Sequence, residues 1–271
     1  MTGVKILFFS IILFLLCSIT QSQCFDKNFA FQEGEIVRYQ AYYNWGFIWL
    51  NAGYVEFEVN SATYNERQVY HLDCYGASHK SYDWIFKVRD RLQTYLDMES
   101  LKPLWFYRDN YEGGFEVHNE YTFNHEENLV YSSTENSDRP FSQDTVKIPP
   151  CTFDVLSFVY YCRNLDFSNL EIGDTIPLKS ILDNEIFTLY IRYLGKDEVE
   201  TKLGEKYRCI KFSALLIEGT IFKGGEDMYV WVTDDDNRIP VLVEAKILIG
   251  SVKAFLESTN GLRNPTHALI E

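Results

Sequence analysis

The chain has 271 residues, a formal net charge of -14, and 46% hydrophobic and 16% aromatic side chains. That composition excludes global disorder. It also excludes nucleic acid as a partner and disfavours anionic lipid, because phosphate binding needs a basic surface and no Lys/Arg cluster is present.

The first element is apolar. Lys5 supplies a short positive start, and Ile6 to Ile19 is an apolar run broken only by Ser10 and Ser18, with Cys17 inside it. Thr20 and Ser22 are the small residues of a cut after Ser22. The pattern predicts a secretory signal peptide over 1–22, too short and too poorly flanked to span a membrane stably. No other window reads as a membrane helix, so the mature form is expected to be soluble or peripheral. Cys24 invites a lipoprotein reading, but Gln23 precedes it and Gln21 stands at the usual Leu position, so lipidation is not expected.

Beyond the leader the chain reads as β. Gly34-Glu35 turns into a strand from Ile36. Gly53, Val55, Phe57 and Val59 alternate with Tyr54, Glu56 and Glu58, which is the period of a strand with one buried face. Tyr70, Leu72 and Cys74 oppose His71 and Asp73; Val88, Asp90, Leu92, Thr94 and Leu96 oppose Arg89, Arg91, Gln93 and Tyr95. A helical turn is predicted in Ser81–Lys87, and Gly113-Gly114 is a hairpin turn within a meander. Residues 132–147 are polar and read as a loop.

A helix follows over 152–165, with Thr152 as N-cap. Asp154 complements its start and Arg163 its end. Val155, Phe158, Val159 and Cys162 follow helical spacing and form the expected buried stripe, with Tyr161 and Asp154 off it to bind neighbouring strands. The second half then echoes the first. "EIGDTIPLK" resembles "QEGEIVRYQ", "EKYRCIKFSA" resembles "RQVYHLDCYG", and "VTDDDNRIPVLVE" resembles "YLDMESLKPLWFY", at offsets of 139, 137 and 137 residues. A last hairpin turns at Gly250-Ser251, and the end frays.

The expected organisation is a leader (1–22), a first β unit (23–131), a loop and connecting helix (132–171), a second β unit (172–258) and a tail (259–271). The fold class is mainly β: large curved antiparallel sheets, a half-open barrel of two pseudo-repeated units, with one short connecting helix.

Gly34-Glu35 with Tyr39, Ala52-Gly53, "KVRDRLQTYLD", Phe153-Asp154-Val155-Leu156-Ser157 with Tyr160-Tyr161 and Arg163, and "DDDNRIPV" resemble the exported bacterial family known as domain of unknown function 3108. The resemblance runs over nearly the whole mature chain. It implies an envelope location and a β-rich fold, and it implies no reaction, so it assigns no catalytic residue.

Candidate chemistry is sparse. Cys151 at a helix start has the setting of a reactive thiol, yet no His lies between His125 and His267; a packed thiol, or a bridge to Cys74 or Cys209, is expected instead. Cys162 is too far along the helix to bridge Cys151. The pairing of Cys24, Cys74, Cys151, Cys162 and Cys209 stays open. His71 with Asp73, His79 with Asp83, and the run "TDDDNR" at 233–238 offer metal-ligating side chains without metal-site spacing, so no metal or other cofactor is expected. The run Tyr42 to Trp49 is the best ligand candidate. Alternation puts Tyr43, Trp45, Phe47 and Trp49 on one face, able to stack on sugars or line an apolar pocket. The expected function is that of an exported, non-enzymatic β scaffold binding an apolar (lipid) or glycan ligand or an envelope protein partner. An envelope hydrolase and an assembly factor without a small ligand are the competing readings.

Overall fold

A computed structural model of the chain describes residues 27–45, 48–216, 225–247 and 250–270. The expected leader and Cys24 lie outside them. Among the described residues fifteen strands form one sheet. The first eight are β1 (Ile36–Trp45), β2 (Ile48–Tyr64), β3 (Arg67–Ser78), β4 (Val88–Asp97), β5 (Pro103–Glu112), β6 (Phe115–Asn124), β7 (Leu129–Asn136) and β8 (Arg139–Lys147). After them come β9 (Thr152–Phe153), helix α1 (Val155–Cys162), β10 (Thr175–Leu182), β11 (Glu185–Glu200), β12 (Lys206–Leu216), β13 (Gly225–Thr233), β14 (Pro240–Lys246) and β15 (Ser251–Asn260).

The sheet order is two meanders run together: β8 back to β1, then β15 back to β9. Every pairing is antiparallel except that of β9 with β10. The central seam joins β1 to β15, from Ile36 opposite Asn260 to Tyr43 opposite Val252. The three echoed segments fall on β1 and β10, β3 and β12, and the entries to β5 and β14.

Local chemistry sets the hairpins. Asn65-Glu66, Gly113-Gly114 and Asp183-Asn184 all have positive φ at both central positions, the geometry that matches strand twist in a two-residue turn. Gly53 has a different reason. A Cβ there would lie 2.3 Å from the carbonyl oxygen of Ala77, so only glycine lets β2 approach β3 so closely.

The sheet is not closed by strand pairing; side chains bridge its ends. The β10–β11 turn reaches across to the far half, where Asn119 Nδ2 donates to Asp183 Oδ1 at 2.7 Å and Asn184 Nδ2 donates to Asp144 Oδ2 at 3.1 Å. A cleft of about 330 Å³ lies at this junction, lined by Asn119, Thr134, Asp144, Asp183 and Asn184 among others.

The alternation expected in β2, β3 and β4 holds. Val59, Leu72, Leu96, Phe106, Tyr121 and Val130 form an inner apolar face, against which Phe31, Leu156 and Tyr160 pack. In the second half Ile191, Ile210, Phe212 and Val230 receive Phe153, Tyr161, Leu165 and Phe167. Helix α1 therefore touches both halves.

Four expectations are corrected. Residues 132–147 are not a loop: they form most of β7 and all of β8, a Ser/Thr/Asn-rich edge so wet on its faces that no apolar alternation marks it. The helix is shorter, Val155–Cys162, because Thr152-Phe153 pairs as β9; its N-cap is Asp154, not Thr152. Its buried residues are Leu156, Ser157, Tyr160 and Tyr161, whereas Val155, Phe158 and Cys162 are half-buried and Val159 is exposed. Residues 259–270 do not fray: Ala268 is fully buried, and Leu269 bridges to Tyr207.

Candidate functional site

The aromatic run is folded back on itself. Strands β1 and β2 pair antiparallel, setting Trp45 opposite Ile48, Asn44 opposite Trp49 and Tyr43 opposite Leu50. Opposed residues share a face and neighbours alternate, so Tyr43 and Trp49 point to opposite faces. A single four-ring stack is thereby corrected to a hairpin. Phe47 and the side chain of Trp45 lie outside the described residues. Trp49 carries Lys253 Nζ at 4.9 Å from its ring centroid.

The helix residues hold the fold. Asp154 Oδ1 accepts from the backbone of Leu156 and Ser157 and from Thr94 Oγ1 on β4 at 2.8 Å, so one buried carboxylate caps the helix and ties it to the sheet. Burial pushes that carboxyl above its ordinary range. Tyr161 is buried against Phe153, ring centroids 4.3 Å apart. Arg163 does more than complement a dipole. Its guanidinium grips both oxygens of buried Glu35, at 2.5 and 3.0 Å, and donates to the carbonyls of Ala30 and Asn237.

Among the described residues neither the thiols nor the acid clusters form a centre. Cys151 is disulfide-bonded, and its partner lies outside the described residues. Cys74 and Cys209 are free, which corrects the expected bridge to one of them. Burial pushes the Cys162 and Cys209 thiols up to about 12, so neither is a thiolate near neutrality. Among the described residues no three His, Cys, Asp or Glu side chains converge as a metal site would require. His79 meets Asn51, Asp83 is held by Ser78 and Arg89, and Asp235 in the 233–238 run accepts from Thr233, Asn237 and His267 to anchor the tail.

Strand register assembles a different set on the outer face. Tyr95 lies opposite His71 on one side and Trp105 on the other; Gln93 lies opposite Asp73 and Tyr107, and Tyr107 opposite Glu120. The rings are continuous. Tyr64 and His71 sit 5.0 and 5.2 Å from Tyr95, Tyr95 sits 4.9 Å from Trp105, and Trp105 and Tyr107 are parallel, 5.9 Å apart. All five are half-buried, leaving ring surface to solvent.

A polar border is fixed around them. Arg91 clasps Asp73 through Nε at 3.2 Å and Nη2 at 2.7 Å, and Gln93 Nε2 donates to Asp73 and faces His71 Nε2 at 3.1 Å. Burial lowers the His71 pKa, which keeps the ring neutral and lets Nε2 accept from the Gln93 amide. Trp105 Nε1 donates to Glu120 Oε1 at 2.7 Å. The Tyr107 hydroxyl makes no hydrogen bond to a described residue, and burial followed by Asp109 and Glu120 raises its pKa, so it stays a neutral donor.

The inner face of the same strands holds a second feature. Asp90 and Glu112 are diagonal neighbours across β4 and β5, and Asp90 Oδ1 and Glu112 Oε2 are buried with no described hydrogen-bond partner. Burial and then the charge of Glu112 raise the Asp90 pKa to about 7.

A family model described as a protein of unknown function, DUF3108, matches residues 38–257. The chain belongs to the DUF3108 family. The matched span runs from β1 into β15, so the DUF3108 region includes most of the seam, helix α1 and all of the aromatic face. The fold is similar to the crystal structure of a beta-barrel-like protein of domain of unknown function DUF1849 from Brucella abortus. That similarity has a TM-score of 0.57 at 10% identity, covering 85% of this chain and 99% of that one. No curated protein matches the chain.

Proposed function

We propose that the chain is an exported, non-enzymatic scaffold of the cell envelope that binds a neutral glycan on the outer face of β2–β5. The observation that carries this reading is the row Tyr64, Tyr95, Trp105 and Tyr107 set beside a fixed border of Asp73, Arg91, Gln93 and Glu120. Aromatic faces stack on the C–H face of a sugar ring, and planar carboxylate, amide and guanidinium groups take its hydroxyls. An open sheet face suits an extended sugar chain better than a small ligand, which needs a concavity. The net charge of -14 opposes acidic polysaccharides. The apolar stretch Ile6–Ile19 with small residues before the cut supports export, and the echoed strands support one β design used twice. The inner pair Asp90 and Glu112 is the foothold of a hydrolase reading, but it faces the packed side of the sheet, away from the rings.

Titration calorimetry and tryptophan fluorescence with neutral oligosaccharides test the proposal. Trp105→Ala is expected to weaken binding about 2- to 12-fold, the worth of one stacked ring. Native protein that binds none of a broad neutral panel, or a Trp105→Ala variant that binds as well as native, would refute it.

A further inference from the structure

Antiparallel pairing places the β1–β2, β3–β4 and β5–β6 connections at one end of the sheet. The β3–β4 connection is a helical turn, Lys80–Phe86, and it presents Trp84, Ile85 and Phe86 at 82%, 45% and 44% exposure. Ile48, where β2 begins at the same end, is 62% exposed. Consecutive large apolar side chains turned outward mark an interaction site, since a fold gains nothing by showing them to water.

The turn is held in place. His79 N donates to the carbonyl of Ala52 at 2.8 Å, and the Phe86 ring sits over Gly113, where a Cβ would lie 2.1 Å from it. Trp84 Nε1 donates to the carbonyl of Ser81 at 2.9 Å, while the Trp84 ring and Ile85 project. Both described clefts are lined by residues elsewhere. A convex tip is suited to insertion rather than to enclosing a ligand.

Charge around the tip runs against the rest of the molecule. The chain has 39 acidic and 25 basic side chains, yet 79–89 carries Lys80, Lys87 and Arg89 against Asp83 alone. Asp83 is bound by Ser78 Oγ and Arg89, both at 2.6 Å, and the Ser78 hydrogen bond holds its pKa low. Lys80 and Lys87 then flank the apolar tip, the Lys87 ammonium 4.7 Å from the Tyr111 ring centroid, and add positive charge complementary to phosphate groups at a lipid surface.

We infer that this end docks on a zwitterionic lipid surface, with Trp84 and Ile85 entering the boundary between headgroups and acyl chains and Lys80 and Lys87 meeting lipid phosphates. Trp is the side chain most at home at that depth. The proposal is independent of glycan binding, which uses another face.

Co-sedimentation with vesicles of phosphatidylcholine and phosphatidylethanolamine tests it. The native chain is expected to pellet with lipid and to show a blue shift in tryptophan emission. Trp84→Ser with Ile85→Ser, both replacements of exposed side chains, is expected to lower partitioning at least about tenfold with an unchanged circular dichroism spectrum. Lys80→Glu with Lys87→Glu is expected to weaken it less. Native protein that stays in the supernatant would overturn the lipid surface and assign the tip to a protein partner. A serine double variant that pellets like native would overturn it equally.

Discussion

Asp90 is an acid in a place that does not suit a charge. It faces inward beside Glu112, and its raised pKa means that the folded chain keeps a proton which the unfolded chain loses above the ordinary carboxylate range. Between those two values the folded state binds more protons, so this group's contribution to stability falls as pH rises from about 4 to about 7. Asp90→Asn removes the titration and is expected to stabilise the protein by about 2 kcal/mol at pH 8, and by under about 1 kcal/mol at pH 4. Thermal melts of the two proteins at both values decide this, and an equal difference at the two pH values would contradict it. Nothing in the sequence marked Asp90 beyond its place on the apolar side of the β4 alternation, where an acid is out of pattern. That misfit was visible in the string; its neighbour Glu112 was not, because the pairing depends on register.

Helix α1 shows how far local pattern carries at the level of an element. The sequence places a helix here and makes it the link between two β units, but the expected stripe of Val155, Phe158, Val159 and Cys162 is not the buried one. A helix of eight residues makes only about two turns, and apolar residues lie all round it, so periodicity cannot tell which side meets the sheet. Buried Asp154 and Ser157 deepen the ambiguity: Ser157 Oγ donates to Asp154, and Asp154 in turn accepts from Thr94 on β4. The strands divide in the same way. β3 and β4 were legible because one face packs and the other is wet, whereas β8 is exposed almost throughout and carries no such signal. The outer aromatic row was half legible: alternation set His71, Asp73, Arg91, Gln93 and Tyr95 on polar faces, but joining Tyr64, Trp105 and Tyr107 to them required register. The element-level test concerns the Glu35–Arg163 clasp. Arg163→Met is expected to cost about 3–5 kcal/mol in urea denaturation, because it leaves Glu35 buried and unpaired, and adding Glu35→Gln should recover part of that loss. Costs that simply add would show that the two side chains act separately.

For the molecule as a whole, the seam between β1 and β15 decides the architecture. Without β15, β1 would present a bare edge in the middle of the sheet, and bare edges recruit other chains. A chain ending before Ser251 is therefore expected to associate into oligomers or aggregates, visible by size-exclusion chromatography with light scattering. A monomer with native circular dichroism would show instead that the first meander is self-sufficient.

The seam also fixes a sequence of events in time. Each meander can form from neighbouring segments, but Ile36 must wait for Asn260, almost the whole length of the chain away. A polypeptide threaded through a membrane during export has to stay open until its last part is across. A fold whose central joint is made from its first and last strands cannot lock early, which suits the export proposed above: the topology itself would delay completion until translocation is over.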